Sequence, residues 1–205
     1  MNSNPNSIAR SDDPKAVVSP VVPTLIVDGI WGWHTRWGRL RQKIETDVGP
    51  CQIWRYDSSG RLTLQMLGAR LAADLRALDG PFNAVGFSMG GLIIREAMRQ
   101  DPDLPLQRVA FLNSPHRGSL AAYFLPLAAC RDMRPGSPFL RRLNAAPWDH
   151  PTLVSWCPGD LMVLPGWSAR WSRATQIVRT DIPAHDWPVI SGTLHRKVIL
   201  FLKAP

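Results

Sequence analysis

Ala84-Val85-Gly86-Phe87-Ser88-Met89-Gly90-Gly91 is the stretch on which the reading of this chain turns. It continues a β-reading run, Phe82 to Val85, and leads into a helix-patterned run at 92–98, so Ser88 falls at a strand-to-helix turn. A Gly-x-Ser-x-Gly in that context holds its serine out above the end of a sheet as a nucleophile. The turn is so tight that side chains at Gly86 and Gly90 would collide with neighbouring backbone, which accounts for the small residues.

Outward from this turn, short β-branched runs at 24–27, 52–55, 82–87, 108–113, 152–156 and 175–179 read as strands, and helical periodicity fills most of the intervals. The pattern predicts an α/β fold with a mostly parallel sheet of about six strands flanked by helices. Leu64, Leu67, Leu71, Leu75 and Leu78 recur at three- and four-residue spacing, predicting a helix with one leucine face that ends at Asp79-Gly80-Pro81. Leu194, Val198, Phe201 and Leu202 predict a closing amphipathic helix. Residues 117–150, rich in Arg and Pro, break the rhythm and read as a small cap-like insertion overhanging the carboxyl ends of the strands, where open α/β sheets bind ligands. With 205 residues and 45% hydrophobic content, one domain over 21–205 is expected.

Residues 1–20 are polar and rich in Asn, Ser, Asp and Pro, without the basic-then-apolar order of a secretory signal. A disordered N-terminal tail and a cytoplasmic location are the expectations. No apolar run reaches the length of a transmembrane segment. Cys51, Cys130 and Cys157 match neither a disulfide framework nor a zinc spacing and read as buried thiols. The net charge of +8 gathers in two stretches, His34, Arg36, Arg39, Arg41 and Lys43, then Arg131, Arg134, Arg141 and Arg142. A solvated basic face is the first reading, and an anionic lipid or substrate surface the second. Nucleic acid is disfavoured, because no binding motif accompanies the charge.

A serine hydroxyl needs a base to take its proton and an acid to orient that base. His185, in the loop after the last predicted strand, is the candidate base; His150 comes before the fifth strand, and His195 lies within the final helix, where it is expected to face solvent. Asp160 follows the fifth strand, with Pro158-Gly159 bending the chain to aim its carboxylate inward. Asp181 and Asp186 are alternatives too close to His185 in sequence to come from a different strand. Two backbone N–H groups must meet a developing oxyanion. Met89 supplies one, and Ile30, in the loop after the first strand, is the choice for the other.

Four segments together resemble the α/β-hydrolase superfamily, specifically small lipases and esterases: Val27-Asp-Gly-Ile-Trp-Gly32, Gly86-Phe-Ser-Met-Gly-Gly91, Pro158-Gly-Asp-Leu-Met-Val163 and the His185 loop. Their order of serine, acid and histidine is that of the superfamily. Asn113-Ser-Pro-His-Arg-Gly-Ser119 is similar to the Pro-His-Arg-Gly segment of glycosylphosphatidylinositol-deacylase-like lipases, a context that gives His116 a role in the pocket floor or cap hinge. The resemblance implies hydrolysis of carboxylic esters, small-molecule or lipid, through an acyl-enzyme, with no cofactor and no metal. Trp31 and Trp187 are the aromatic candidates for contact with substrate. An acyltransferase with the same triad and a non-catalytic binding protein are the rival readings. One departure stands out: those lipases usually carry His-Gly in the oxyanion loop, whereas Asp28-Gly29 places a carboxylate there, tolerable only if it points away or is paired.

Overall fold

A computed structural model describes residues 22–78 and 80–204. The expected tail at 1–20 and Asp79 of the expected helix stop lie outside the described residues. Six strands, β1 (Thr24–Val27), β2 (Cys51–Ile53), β3 (Phe82–Phe87), β4 (Leu106–Leu112), β5 (Thr152–Trp156) and β6 (Gln176–Arg179), form one sheet in the order β2-β1-β3-β4-β5-β6. Every neighbouring pair is parallel. Three strands keep their expected bounds; β2, β4 and β6 shift by one or two residues at their ends, where propensity is a weak guide.

The helices are α1 (Gly38–Asp47), α2 (Leu64–Arg76), α3 (Met89–Gln100), α4 (Ala128–Asp132), α5 (Pro138–Ala145), α6 (Trp187–Ile190) and α7 (Gly192–Lys203). Alternate residues of the central strands feed two cores, as a strand's two-residue side-chain period requires. Val109 and Phe111 of β4 pack with the α2 and α3 side chains, while Ala110 and Leu112 pack with those of α1 and α7. A sheet covered on both faces explains why β3 is buried along its whole length and is apolar but for Asn83.

Two expectations need correction. Leu78 lies beyond the end of α2 and is exposed, because the helix stops at Arg76 before the leucine stripe is complete. His195 does not face solvent but is buried beside Leu194 and Val198 on the inner face of α7. Its Nε2–H donates to the carbonyls of Pro188 and Val189 at 3.1 and 3.0 Å, so the imidazole is satisfied inside the protein. Burial foremost lowers the His195 pKa, which keeps the ring neutral. All three cysteines are buried free thiols, as expected. No helix among the described residues is long and apolar enough to cross a membrane.

Candidate active site

The chain reverses its direction of travel across the sheet between β1 and β3, and ligands of open α/β sheets bind at such a switch point. Asp28, Ser88, Asn113, Asp160 and the His185 loop follow the carboxyl ends of β1, β3, β4, β5 and β6 in turn. Parallel pairing therefore brings residues far apart in sequence to one edge.

Ser88 joins β3 directly to α3 with φ 51° and ψ −122°, a conformation that costs an L-residue free energy and is held by its surroundings. Its N–H donates to Leu112 O at 2.8 Å, extending the ladder to β4 into the turn. A Cβ on Gly90 would fall on the carbonyl oxygen of Val27, and one on Gly86 would come within 2.6 Å of the Gly91 Cα. Both glycines are sterically required, as the sequence indicates.

His185 Nε2 lies 3.0 Å from Ser88 Oγ, and His185 Nδ1 lies 2.8 Å from Asp160 Oδ2. Because the carboxylate accepts, Nδ1 carries the proton and Nε2 offers a lone pair to the serine hydroxyl. The imidazole ring also packs on Phe87, centroids 4.9 Å apart. Asp160 is buried, and besides His185 it accepts the N–H groups of Met162 and Val163 at 2.9 and 3.0 Å and the Asn113 amide at 3.1 Å. Pro158 and Gly159 form the turn before it, and a Cβ on Gly159 would sit 2.9 Å from Pro183 Cβ, so the acid loop and the histidine loop are in contact.

Sequence reasoning missed Asn113. It adopts φ 48° at the end of β4, and its side chain links Ser155 Oγ, 3.2 Å from its Oδ1, to the Asp160 carboxylate. An Asn tolerating a left-handed conformation at a strand end was the available signal.

The Asp28 departure is resolved by a partner. Arg36 Nε donates to Asp28 Oδ2 at 3.0 Å and its terminal amine to Asp28 Oδ1, while Gly29 N–H donates to Oδ1 at 2.7 Å. The other Arg36 amine reaches Asp186, next to His185, at 3.0 Å, and the guanidinium lies over Phe87 at 5.0 Å. Arg36 therefore does not belong to a solvated basic face: one side chain ties the β1 loop, Phe87 before Ser88 and the histidine loop together. Tyr56 OH, whose ionisation burial suppresses, donates to Asp28 O at 2.7 Å and fastens the same loop from below. A Cβ on Gly29 would sit 3.0 Å from Ser88 Cβ, so the loop carrying Ile30 passes directly against the serine. Met89 is the first residue of α3, where an N–H has no acceptor within the helix.

An apolar cavity of about 40 Å³ opens beside Ser88, with Ile30, Ala122, Leu125, Cys130, Met133 and Val163 among its lining. Trp31, half exposed, Trp187 and His116 are not among its lining residues. His116 is instead buried and stacked on Trp171 at 5.1 Å, with Nδ1 3.2 Å from the buried Arg95. Burial, and then the neighbouring Arg95, holds the His116 pKa well below its ordinary value. Arg95, itself pushed down to about 9 mainly by burial, also donates to Leu143 O and Asn144 Oδ1 and so pins the end of α5 to α3.

The six-stranded parallel sheet with its serine turn, acid loop and histidine loop is decisive for the architecture. The chain has the α/β-hydrolase fold. No protein-family model matches the sequence, and no curated protein matches it. Among solved structures with this α/β-hydrolase fold, the phospholipase PlaB from Legionella pneumophila superposes with a TM-score of 0.57 at 19% identity, over 65% of this chain and 38% of that one. The Bacillus licheniformis lipase BlEst2 superposes with a TM-score of 0.67 at 19% identity in its mature form, over 95% of this chain and 94% of that one. In its propeptide form the values are 0.72 and 18%, over 91% and 51%. The chain thus spans about two fifths of the phospholipase and about half of the propeptide-form lipase.

Proposed function

We propose that this α/β-hydrolase-fold protein is a serine hydrolase that cleaves carboxylic esters through an acyl-enzyme. The observation that carries the reading is the continuous relay from Ser88 Oγ through His185 to Asp160, at 3.0 and 2.8 Å, on an elbow whose backbone is held in a strained conformation. Ser88 Oγ attacks the ester carbonyl carbon while His185 Nε2 takes its proton, and Asp160 stabilises the imidazolium. The oxyanion of the tetrahedral intermediate meets the N–H groups of Met89 and Ile30. Collapse expels the alcohol, which receives the proton from His185. Water then attacks the acyl carbon, gives a proton to His185, and the acid leaves as Ser88 Oγ regains that proton.

The Arg36 clamp answers the objection raised by Asp28, since the carboxylate spends its charge on the guanidinium rather than opposing the oxyanion. Residues 117–150 act as the cap, because Ser119, Ala121, Ala122, Leu125, Cys130 and Met133 all wall the cavity beside Ser88. Leu120, Tyr123, Phe124 and Leu161, next in sequence to lining residues, are exposed, as is the lining residue Met162, and Arg134 lies over Tyr123 at 4.9 Å. An apolar rim with positive charge supports capture of the ester from an anionic lipid surface.

The test is Ser88→Ala. Ester turnover should fall by about 10⁴ to 10⁶-fold with the circular dichroism spectrum unchanged, and retained turnover would sink the assignment.

A further inference from the structure

The cavity beside Ser88 is small, and its chemistry is nearly uniform. Its volume of about 40 Å³ exceeds the roughly 10–15 Å³ that a single water needs and stays far below that of a large ligand pocket. Ala122, Cys130, Met133 and Val163 are all buried, so the wall behind the space is protein core and not solvent. Met133 is packed in the same core cluster as Leu140 and Leu143 of α5, and Ser119 N–H donates to its carbonyl at 2.9 Å, which holds the wall in place.

Ser119, the other hydroxyl on the lining, is already engaged. Ser119 Oγ donates to Met162 O at 2.9 Å and accepts from Leu164 N–H at 2.9 Å and Ala121 N–H at 3.2 Å. The Cys130 thiol is kept protonated by its burial. What remains is hydrocarbon, facing the atom that would carry the acyl group. The acyl chain of a Ser88 ester begins one bond from Oγ, so it is the part of the substrate that must find room closest to the serine.

We infer that this cavity is the acyl site and that it selects short unbranched acyl groups, of about two to four carbons, with Met133 and Leu125 as the residues that set the limit. The inference rests on the ester-hydrolase reading. It separates two properties that the apolar rim alone would merge: the enzyme can meet its ester at an interface and still reject long acyl chains. Each methylene that fits should raise kcat/KM about fourfold, from the transfer of one CH₂ out of water. The first methylenes that do not fit force strain on a packed wall, and the loss should reach at least about tenfold.

The experiment is a series of monomeric chromogenic esters with one alcohol and acyl groups from acetate to laurate, run beside a series with acetate fixed and the alcohol lengthened. The expected result is a maximum in kcat/KM at propionate or butyrate, a fall of at least about tenfold by octanoate, and little dependence on the alcohol. Met133→Ala should move the acyl maximum to longer chains by about two carbons. That variant also loses core packing, so Ala121→Leu, at a half-buried position on the lining, provides the opposite test: its maximum should move to acetate. A maximum at laurate in the parent, or a length limit that follows the alcohol instead of the acyl group, overturns the inference while leaving the hydrolase reading intact. Absence of turnover across both series together with failure of a fluorophosphonate to label Ser88 overturns the hydrolase reading, and the inference with it.

Discussion

Replacing Arg36 by Ala removes the only guanidinium bound to Asp28 among the described residues and leaves a carboxylate side chain that is 4% exposed. Breaking a buried ion pair from one side costs about 3–5 kcal/mol, because the remaining charge is neither solvated nor compensated. Here the lower end applies: Gly29 N–H still donates to Oδ1 at 2.7 Å, and the vacated guanidinium site, 12% exposed, admits water. The contact of Arg36 with Asp186, whose side chain is 67% exposed, adds less than about 1 kcal/mol. The expected destabilisation is about 3 kcal/mol, a drop in Tm of roughly 6–12 °C for a chain of this size. Urea unfolding of Arg36→Ala and of the double variant Arg36→Ala/Asp28→Asn measures it. The double variant should recover at least half the loss, since the amide carries no charge and still accepts from Gly29. Because the same loop presents the Ile30 N–H, kcat for ester hydrolysis should fall by about 10²-fold in the single variant. A single variant within about 0.5 kcal/mol of the parent would refute the reasoning, as it would mean that the Asp28 carboxylate needs no partner.

Asn113→Gly keeps a residue that tolerates φ 48° but removes the amide from Asp160; the loss of a hydrogen bond to a charged group should lower kcat by about tenfold or more without raising KM. A rise in KM with unchanged kcat would assign Asn113 to substrate binding instead. Stability should also depend on acid. His116 and His195 both have folded pKa values below the ordinary 6.5, so below about pH 6.5 the unfolded chain binds more protons. Their contribution is complete above that pH and is lost as pH falls through it, for the fully buried His116 at up to about 1.4 kcal/mol per pH unit. Urea midpoints that hold steady from pH 8 to 7 and drop towards pH 5 are expected, with a shallower drop in His195→Gln, whose amide replaces the Nε2–H donor. A midpoint that rises on acidification would contradict this sign.

The sheet was legible because a parallel strand buried on both faces is mostly apolar, and 82–87 and 152–156 are so apart from Asn83, Thr152 and Ser155. The serine turn was legible for a steric reason, since only glycine fits where Gly86 and Gly90 approach other backbone. Asp160 and His185 could be placed because chain order and strand ends restrict where a partner can stand. Contacts between loops were not legible. Arg36 looked like one charge in a basic run, and only the fold reveals that it sits between Asp28 and Asp186, which lie 158 residues apart. His195 was misplaced because its charged neighbours Arg196 and Lys197 suggested an outer face, while the helical period turns it inward beside Leu194 and Val198. Trp31 and Trp187, the aromatic candidates for substrate contact, do not line the cavity beside Ser88, while Trp148 and Trp171 pack around Phe111 and His116, and Trp37 packs on Phe87. The lining beside Ser88 is mostly aliphatic instead.

On the proposed mechanism Ser88 becomes covalently acylated with His185 as its base. Intact-protein mass spectrometry after rapid acid quench from a short-chain activated ester measures this directly. A single acyl adduct mapping to the peptide that contains Ser88, formed in the parent and absent in both Ser88→Ala and His185→Ala, is the predicted result. An adduct on another residue, or one that forms equally fast without His185, would contradict the account.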